Sequence, residues 1–74
     1  MRILIVEDEK KVAAFIKKGL EEETYAVDIA SDGEEGLHLG EQNPYDMIIL
    51  DLMLPKINGL DILSRLRSKK IDTP

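Results

Sequence analysis

Carboxylates follow two apolar segments of the sequence. Glu7, Asp8 and Glu9 come directly after the apolar residues 2–6, and Asp51 comes directly after Met-Ile-Ile-Leu at 47–50. Carboxylates that are packed together repel one another, so a site that gathers them needs a cation. Mg²⁺ fits this chemistry because it is held by one or two carboxylates together with waters and a phosphate oxygen. For the triplet 7–9 alone, a solvated acidic turn that caps a helix explains the residues equally well.

Other site chemistries lack their residues. The sequence has no cysteine, which excludes a disulfide framework, a thiolate metal site and a cysteine nucleophile. The loop after residue 6 reads Glu-Asp-Glu-Lys-Lys, where a dinucleotide site needs Gly-x-Gly-x-x-Gly. The sole histidine, His38, lies between two leucines in a predicted helix. We expect it to be an exposed surface residue and not a general base.

Three segments read as strands. Residues 2–6, apart from Arg2, and residues 47–50 are continuous apolar runs, which are typical of buried parallel strands. Residues 25–30 alternate between apolar and polar side chains, which indicates a strand with one open face, at an edge of the sheet. Because functional sites of open parallel sheets lie beyond the carboxyl ends of the strands, we expect the acids at 7–9 and Asp51 to meet there.

The segments between the strands have helical periodicity. The first predicted helix covers 10–21 and would be capped by Asp8 or Glu9. Its predicted apolar face consists of Val12, Phe15, Ile16 and Leu20. The second covers 34–41, starts with a capping box of Asp32 and Glu35, and should be the least stable because it contains two interior glycines, Gly36 and Gly40.

The third predicted helix begins after Asn58, a good capping residue. Its predicted buried side consists of Leu60, Ile62, Leu63 and Leu66. The order β-α-β-α-β-α predicts an α/β fold in which helices cover a three-stranded parallel sheet. The length of 74 residues leaves room for one small domain.

Charge and hydropathy limit the partners and the location. With 10 Lys and Arg against 15 Asp and Glu, the net charge is −5, which disfavours direct nucleic-acid binding. No apolar run approaches the roughly 20 residues of a membrane span. The N-terminal apolar stretch is too short for a signal peptide and ends in acids. We therefore expect a cytoplasmic protein without membrane contact.

Three stretches together resemble the receiver domain of a bacterial two-component response regulator. They are Ile-Leu-Ile-Val-Glu-Asp at 3–8, Ser-Asp-Gly-Glu-Glu-Gly-Leu at 31–37, and Asp-Leu-Met-Leu-Pro-Lys-Ile-Asn-Gly-Leu at 51–60. Met53 and the closing Ile-Asp-Thr-Pro at 71–74 are most similar to the subclass in which a winged-helix DNA-binding domain follows the receiver. The resemblance implies a flavodoxin-like fold with strand order 2-1-3.

The resemblance also implies roles for individual residues. Asp51 would be the phosphoacceptor and would take a phosphoryl group from a sensor histidine kinase with the help of Mg²⁺. The implied metal site consists of Asp8, Asp51, the backbone carbonyl of Met53 and, in the outer shell, Glu7. The loop behind Asp51 would be shaped by Pro55, Asn58 and Gly59, which an ordinary turn and helix cap would also explain. The resemblance assigns no role to Lys56, which we expect to be solvated.

A complete receiver of this family has five strands and five helices, so the resemblance implies that residues 1–74 form its first three strands and helices. The rest of the receiver and any output domain would lie outside these residues. Strand three, residues 47–50, would then be an exposed apolar edge. Such an edge is a template for pairing with another chain, so we expect a homodimer through it.

Three functions remain open on the sequence alone. The first is a phosphoacceptor domain of two-component signal transduction that is not itself an enzyme and that regulates transcription in the full-length protein. The second is a self-associating structural module without phosphotransfer. The third, a magnesium-dependent phosphotransfer enzyme, has the least support because it would need further catalytic groups.

Overall fold

Three parallel strands form the centre of the computed structural model, which describes residues 1–74. In chain order the elements are β1 (Arg2–Val6), α1 (Lys10–Glu22), β2 (Ala26–Ala30), α2 (Gly33–Gln42), β3 (Met47–Leu50) and α3 (Gly59–Ser68). The predicted order of elements is confirmed. The bounds of β1 and β3 are as predicted, those of β2 and α1 differ by one residue at one end, and those of α2 differ by one residue at each end.

The strand order is β2-β1-β3, as predicted, with β1 in the middle. Val6 pairs with Ala30 on one side and with Leu50 on the other, so all three strands end at the same level. The amide of Glu7 donates to the carbonyl of Ala30 at 3.0 Å. This register places the residues that follow β1 and β3 side by side.

The sheet is covered on both faces. One face carries a core cluster that joins the sheet to α3 and to the loop before β3: Leu4, Val6, Ala30, Tyr45, Ile62 and Leu66. On the other face, Ile3 and Ile5 are buried, since side chains alternate along a strand. Ala13 of α1 is fully buried there as well. The middle strand is therefore buried on both faces.

The predicted apolar face of α1 is partly wrong. Phe15 is 80% exposed and Val12 is 39% exposed, whereas the small side chain of Ala13 is buried. Helix α1 packs over β1 and β2. The sheet therefore leaves these apolar side chains of α1 uncovered. The predicted side-chain cap is also wrong, because the N-cap residue Glu9 makes no capping hydrogen bond.

The predicted buried side of α3 is half right. Ile62 and Leu66, one turn apart, face the core, but Leu60 is 63% exposed and Leu63 is 40% exposed. The pattern of leucines is wider than the surface that the sheet and α2 present to this helix. The predicted start of α3 is confirmed, since the Asn58 side chain accepts a hydrogen bond from the amide of Asp61 at 2.9 Å.

The glycines of α2 allow close packing. A Cβ atom on Gly36 would lie 2.6 Å from Cγ1 of Val6, so a larger residue would push the helix off the sheet. The predicted cap by Asp32 is present, but Glu35 bonds the amide of Ser31 and not that of the N-cap residue, as a capping box would require. Asp32 accepts from the amide of Glu35 at 2.8 Å, and the Glu35 carboxylate accepts from the amide of Ser31 at 2.7 Å.

The edge at β3 is less open than predicted. The amide of Ile48 donates to the carbonyl oxygen of Pro74 at 2.9 Å. Arg67 holds the same terminal segment by donating to the carbonyls of Ile71 at 2.7 Å and Thr73 at 3.0 Å. The expectation of a wholly unpaired edge is therefore wrong at Ile48. None of the helices has the length and apolarity needed to cross a membrane.

Candidate functional site

Three carboxylates converge at the carboxyl end of the sheet. Glu7, Asp8 and Asp51 each offer an oxygen, and these oxygens lie within 4.8 Å of one another. Glu7 and Asp51 are half-buried and Asp8 is exposed. The three residues line an open groove of about 550 Å³ whose other walls are mostly apolar. Glu7 and Asp51, which follow β1 and β3 and are 44 positions apart in the sequence, therefore share one site.

The cluster carries uncompensated negative charge. None of the three ion pairs in the structure involves Glu7, Asp8 or Asp51. Burial raises the pKa of the Glu7 carboxyl, and the nearby charges of Asp51 and Asp8 raise it further, against the lowering effect of a hydrogen bond from the Glu9 amide. Oxygen ligands at this spacing without a protein cation fit a hard divalent ion such as Mg²⁺.

The Asp51 side chain is oriented by the backbone that follows it. The amide of Met53 donates to Oδ1 of Asp51 at 3.1 Å. The Met53 side chain is 85% exposed, so this residue contributes to the site through its backbone. Its place in the wall of the groove beside the three carboxylates is compatible with the metal-ligand role that the resemblance implies for its carbonyl.

The loop between β3 and α3 turns closely around Asp51. The amide of Gly59 donates to the carbonyl of Leu52 at 3.2 Å, and a Cβ atom on Gly59 would lie 2.4 Å from the carbonyl oxygen of Asp51. Only glycine allows this approach. Asn58 caps α3 at the same point. Pro55 lies further out, and its carbonyl accepts from the amide of Ile57 at 2.8 Å.

A second set of contacts to this loop could not be predicted from the sequence. Lys56 is exposed, as expected, but its Nζ also lies 3.4 Å from Oδ2 of Asp32. The amide of Gly33 donates to the carbonyl of Pro55 at 3.2 Å. The Asp-Gly pair at 32–33 was visible as a helix start, but nothing in the sequence points to its contact with residues 55 and 56. His38 is exposed on α2, as expected, and lies outside the carboxylate cluster.

Sequence comparison places the chain among signalling proteins. Residues 3–74 match the response regulator receiver domain. The transcriptional regulatory protein CusR of Escherichia coli (strain K12) is 50% identical over 74 residues, which are 100% of this chain and 33% of that protein. The response regulator ArlR of Staphylococcus saprophyticus is 54% identical over 69 residues, which are 93% of this chain and 31% of that protein. The chain thus spans about a third of the length of these relatives.

Solved structures agree with this placement. The receiver domain of the Francisella response regulator 1452 superimposes with a TM-score of 0.96 at 41% identity, over 99% of this chain and 60% of that one. The response regulator protein TrrA of Thermotoga maritima, solved in complex with Mg(2+)-BeF, gives a TM-score of 0.88 at 42% identity, over 93% of this chain and 60% of that one. TrrA has also been solved in complex with the histidine kinase ThkA.

The family match covers almost the whole chain, and the strand order and the carboxylate cluster are those that the resemblance implied. The flavodoxin-like fold of the structural neighbours is the fold of these residues. The chain belongs to the family of response regulator receiver domains.

Proposed function

We propose that Asp51 is the phosphoacceptor of this chain and that it accepts a phosphoryl group from a phosphohistidine of a sensor histidine kinase. The observation that carries this proposal is the convergence of Asp51 with Glu7 and Asp8 within 4.8 Å at the open end of a buried sheet. TrrA, a neighbour at 42% identity, forms a complex with a histidine kinase. That neighbour supports a kinase as the partner.

The transfer is a single displacement at phosphorus. A carboxylate oxygen of Asp51 forms a bond to phosphorus while the bond from phosphorus to the histidine nitrogen breaks, and the electron pair stays on the imidazole. Asp51 ends as an aspartyl phosphate, so the chain is a substrate of its kinase and not an enzyme. The Met53 amide holds Oδ1 of Asp51 and thereby limits the directions from which phosphorus can approach.

The same residues would hold Mg²⁺. Asp8, Asp51 and the Met53 carbonyl are the proposed direct or water-mediated ligands, with Glu7 in the outer shell. When bound, the ion neutralises charge on the phosphoryl oxygens, on which the rate of phosphoryl transfer depends. Without such an ion, the negative cluster repels an incoming phosphate. The Mg(2+)-BeF complex of TrrA supports this choice of ion.

The role in the longer protein is also a proposal. CusR is a transcriptional regulatory protein, and we propose that a longer protein with this receiver regulates transcription. A net charge of −5 makes direct DNA binding by these 74 residues unfavourable. The cytoplasmic location stays a prediction.

Self-association is the second candidate function. β3 lies at an edge of the sheet, and Met47 on this strand is 37% exposed. These features support a homodimer that is formed through β3, although the bond from Ile48 to Pro74 already uses one of the edge amides. In this alternative the chain is a structural module, and the carboxylates have no phosphoacceptor role.

Magnesium titration separates the two functions. We expect Mg²⁺ to shift the amide resonances of Glu7, Asp8 and Met53 in the 74-residue chain, and we expect the double variant D8N/D51N to lose these shifts. The matched control is Asp72→Asn, which removes an exposed carboxylate outside the cluster. Equal Mg²⁺ binding by the double variant and the parent would refute the site, and a purely structural module predicts no localised binding.

A further inference from the structure

A second element besides β3 holds the loop that follows Asp51. We define the outer brace as four residues, Asp32 and Gly33 at the start of α2 and Pro55 and Lys56 in the loop. The Gly33 amide donates to the Pro55 carbonyl at 3.2 Å, and Lys56 Nζ lies 3.4 Å from Oδ2 of Asp32. We propose that Asp32 and Lys56 are positioning residues that set the affinity of the site for Mg²⁺ by fixing this loop. The proposal rests on the proposed function.

The packing at Gly33 shows how tightly the brace is built. A Cβ atom at this position would lie 1.9 Å from the carbonyl oxygen of Ile57. At the base of the loop, where its two ends meet, a Cβ atom on Gly59 would lie 2.4 Å from the carbonyl oxygen of Asp51. The loop is therefore closed tightly at its base and lies directly against the backbone at the start of α2, so a shift of α2 moves the loop. Met53, whose amide holds Asp51, lies within this loop.

The backbone of Lys56 gives independent support. Its φ is 69°, in the left-handed region that non-glycine residues rarely adopt. The other two such residues, Thr24 and Lys70, each follow the C-cap of a helix, where this conformation is common. Lys56 has no helix before it. Strained backbone persists where the surroundings over-determine it and concentrates at functional sites, and here the surroundings are the contacts to Asp32 and Gly33.

The two carboxylate oxygens of Asp32 make different contacts, so the outer brace can be tested separately from the helix cap. Oδ1 accepts from the Glu35 amide at 2.8 Å and caps α2, while Oδ2 faces Lys56. Asp32→Asn keeps a side-chain oxygen for the cap and removes the charge. Lys56 pairs with none of the three carboxylates of the site, so it acts on them only through the position of the loop.

The chain provides a matched control pair. Lys69 Nζ lies 2.8 Å from Oε2 of Glu41 and likewise joins α2 to a segment after β3, but at the far end of the helix. We expect D32N and K56Q to raise the Mg²⁺ dissociation constant about twofold to fivefold, the range of a partly exposed ion pair. E41Q and K69Q should leave the Mg²⁺ dissociation constant unchanged. They should lower the melting temperature about as much as D32N and K56Q do. Lys56→Arg should restore parental affinity.

A second readout does not need the ion. Amide exchange at Met53 in the metal-free protein should be faster in K56Q than in the parent, and unchanged in K69Q. If the parent binds Mg²⁺ through Asp8 and both D32N and K56Q bind it equally well, the brace is overturned and the proposed function stands. If the parent does not bind Mg²⁺, the proposed function fails, and unchanged exchange at Met53 in K56Q would then overturn the brace as well.

Discussion

The amide nitrogen of Asp51 donates a hydrogen bond to the carbonyl oxygen of Val6 at 3.0 Å. This bond extends the pairing of β3 with β1 to the first residue after the strand. It places the proposed phosphoacceptor beside Glu7, the next residue after Val6. The carboxylate cluster is thus a consequence of sheet register, and changes that disturb this end of the sheet should disturb ion binding.

Gly59→Ala should damage both stability and the site. The added methyl group would lie 2.4 Å from the carbonyl oxygen of Asp51, and overpacking of this kind costs about 1–3 kcal/mol. We expect a lower free energy of unfolding in urea and weaker Mg²⁺ binding. The control is Gly19→Ala in α1, where nothing lies within 4 Å of the new atom. The free energy of unfolding of Gly19→Ala should be higher than that of the parent by up to about 1 kcal/mol. Equal effects of the two substitutions would contradict the close packing at Gly59.

The Glu7 carboxyl should titrate above its ordinary pKa of 4.5 because of burial and the nearby charge of Asp51. A group with a raised pKa in the folded state contributes stability at low pH, and that contribution is lost as the pH rises through the folded value. Mg²⁺ should lower this pKa by compensating the cluster. NMR titration of the side-chain carboxyl should show a larger decrease of the Glu7 pKa in D51N than in D8N. A Glu7 pKa that neither Mg²⁺ nor D51N changes would contradict the charge coupling.

Tyr45→Phe should weaken the opposite end of the sheet. The Tyr45 hydroxyl donates to Oδ2 of Asp28 at 2.7 Å, and Arg2 donates to the same oxygen at 3.0 Å. We expect the free energy of unfolding of this variant to be about 1 kcal/mol lower than that of the parent at neutral pH. Burial and the Asp28 carboxylate raise the pKa of Tyr45 to about 12. The hydroxyl therefore stays protonated, and can donate, at every pH well below that value. Tyr25→Phe, at a half-buried tyrosine outside this network, is the control and should have little effect.

The acid dependence of this network follows from Asp28. The hydrogen bond from Tyr45 lowers the pKa of Asp28 below its ordinary 3.8, and Arg2 lowers it further, against the effect of burial. The stability from this carboxylate is therefore present above pH 3.8 and is lost as the pH falls through the folded-state value. The difference in the free energy of unfolding between the parent and the Tyr45→Phe variant should become smaller as the pH falls through this range. A stability difference that stays constant down to the pH of acid unfolding would contradict the hydrogen bond between the Tyr45 hydroxyl and the Asp28 carboxylate.

Self-association through β3 remains a prediction, and Ile49→Lys tests it. Ile49 is half-buried and lines the groove beside the strand edge. Burying a few hundred Å² of apolar surface at about 25 cal/mol per Å² would stabilise a dimer by several kcal/mol. We expect the 74-residue chain to sediment as a dimer at micromolar concentration and the Ile49→Lys variant to dissociate and unfold together.

Leu60→Lys is the control for that experiment, because Leu60 is already 63% exposed and lies on α3 and not on β3. It should leave the association unchanged. A folded monomer whose stability does not depend on concentration would contradict the homodimer.

The strands and the meeting of the acids could be predicted from sequence for one reason. Continuous apolar runs identify strands that are buried on both faces, and the carboxyl ends of parallel strands must share an edge. Glu7 and Asp51 follow two such runs, so their proximity needed no knowledge of side-chain packing. The capping residues Asp32 and Asn58 were equally local signals, since each bonds an amide only three residues away.

Apart from the missing side-chain cap at Glu9, the main errors concern contacts between distant segments. Periodicity shows that Phe15 and Leu60 lie on apolar faces, but it does not show that no neighbour reaches those faces. The ion pair of Lys56 with Asp32 depends on a left-handed backbone at Lys56, which residue type gives no reason to expect. The glycines at 36 and 40 looked destabilising because the close packing that they allow, against Val6 in the case of Gly36, is a tertiary property.

The identity of the phosphorylated residue is the most direct measurement. The 74-residue chain is incubated with acetyl phosphate and Mg²⁺, and the modified residue is located by mass spectrometry, with D51N and D72N treated in parallel. We predict that any phosphoryl group forms slowly, lies on Asp51, requires Mg²⁺, is absent from D51N and is retained in D72N. A phosphoryl group on another residue, or equal modification of D51N, would contradict the assignment of Asp51 as the phosphoacceptor.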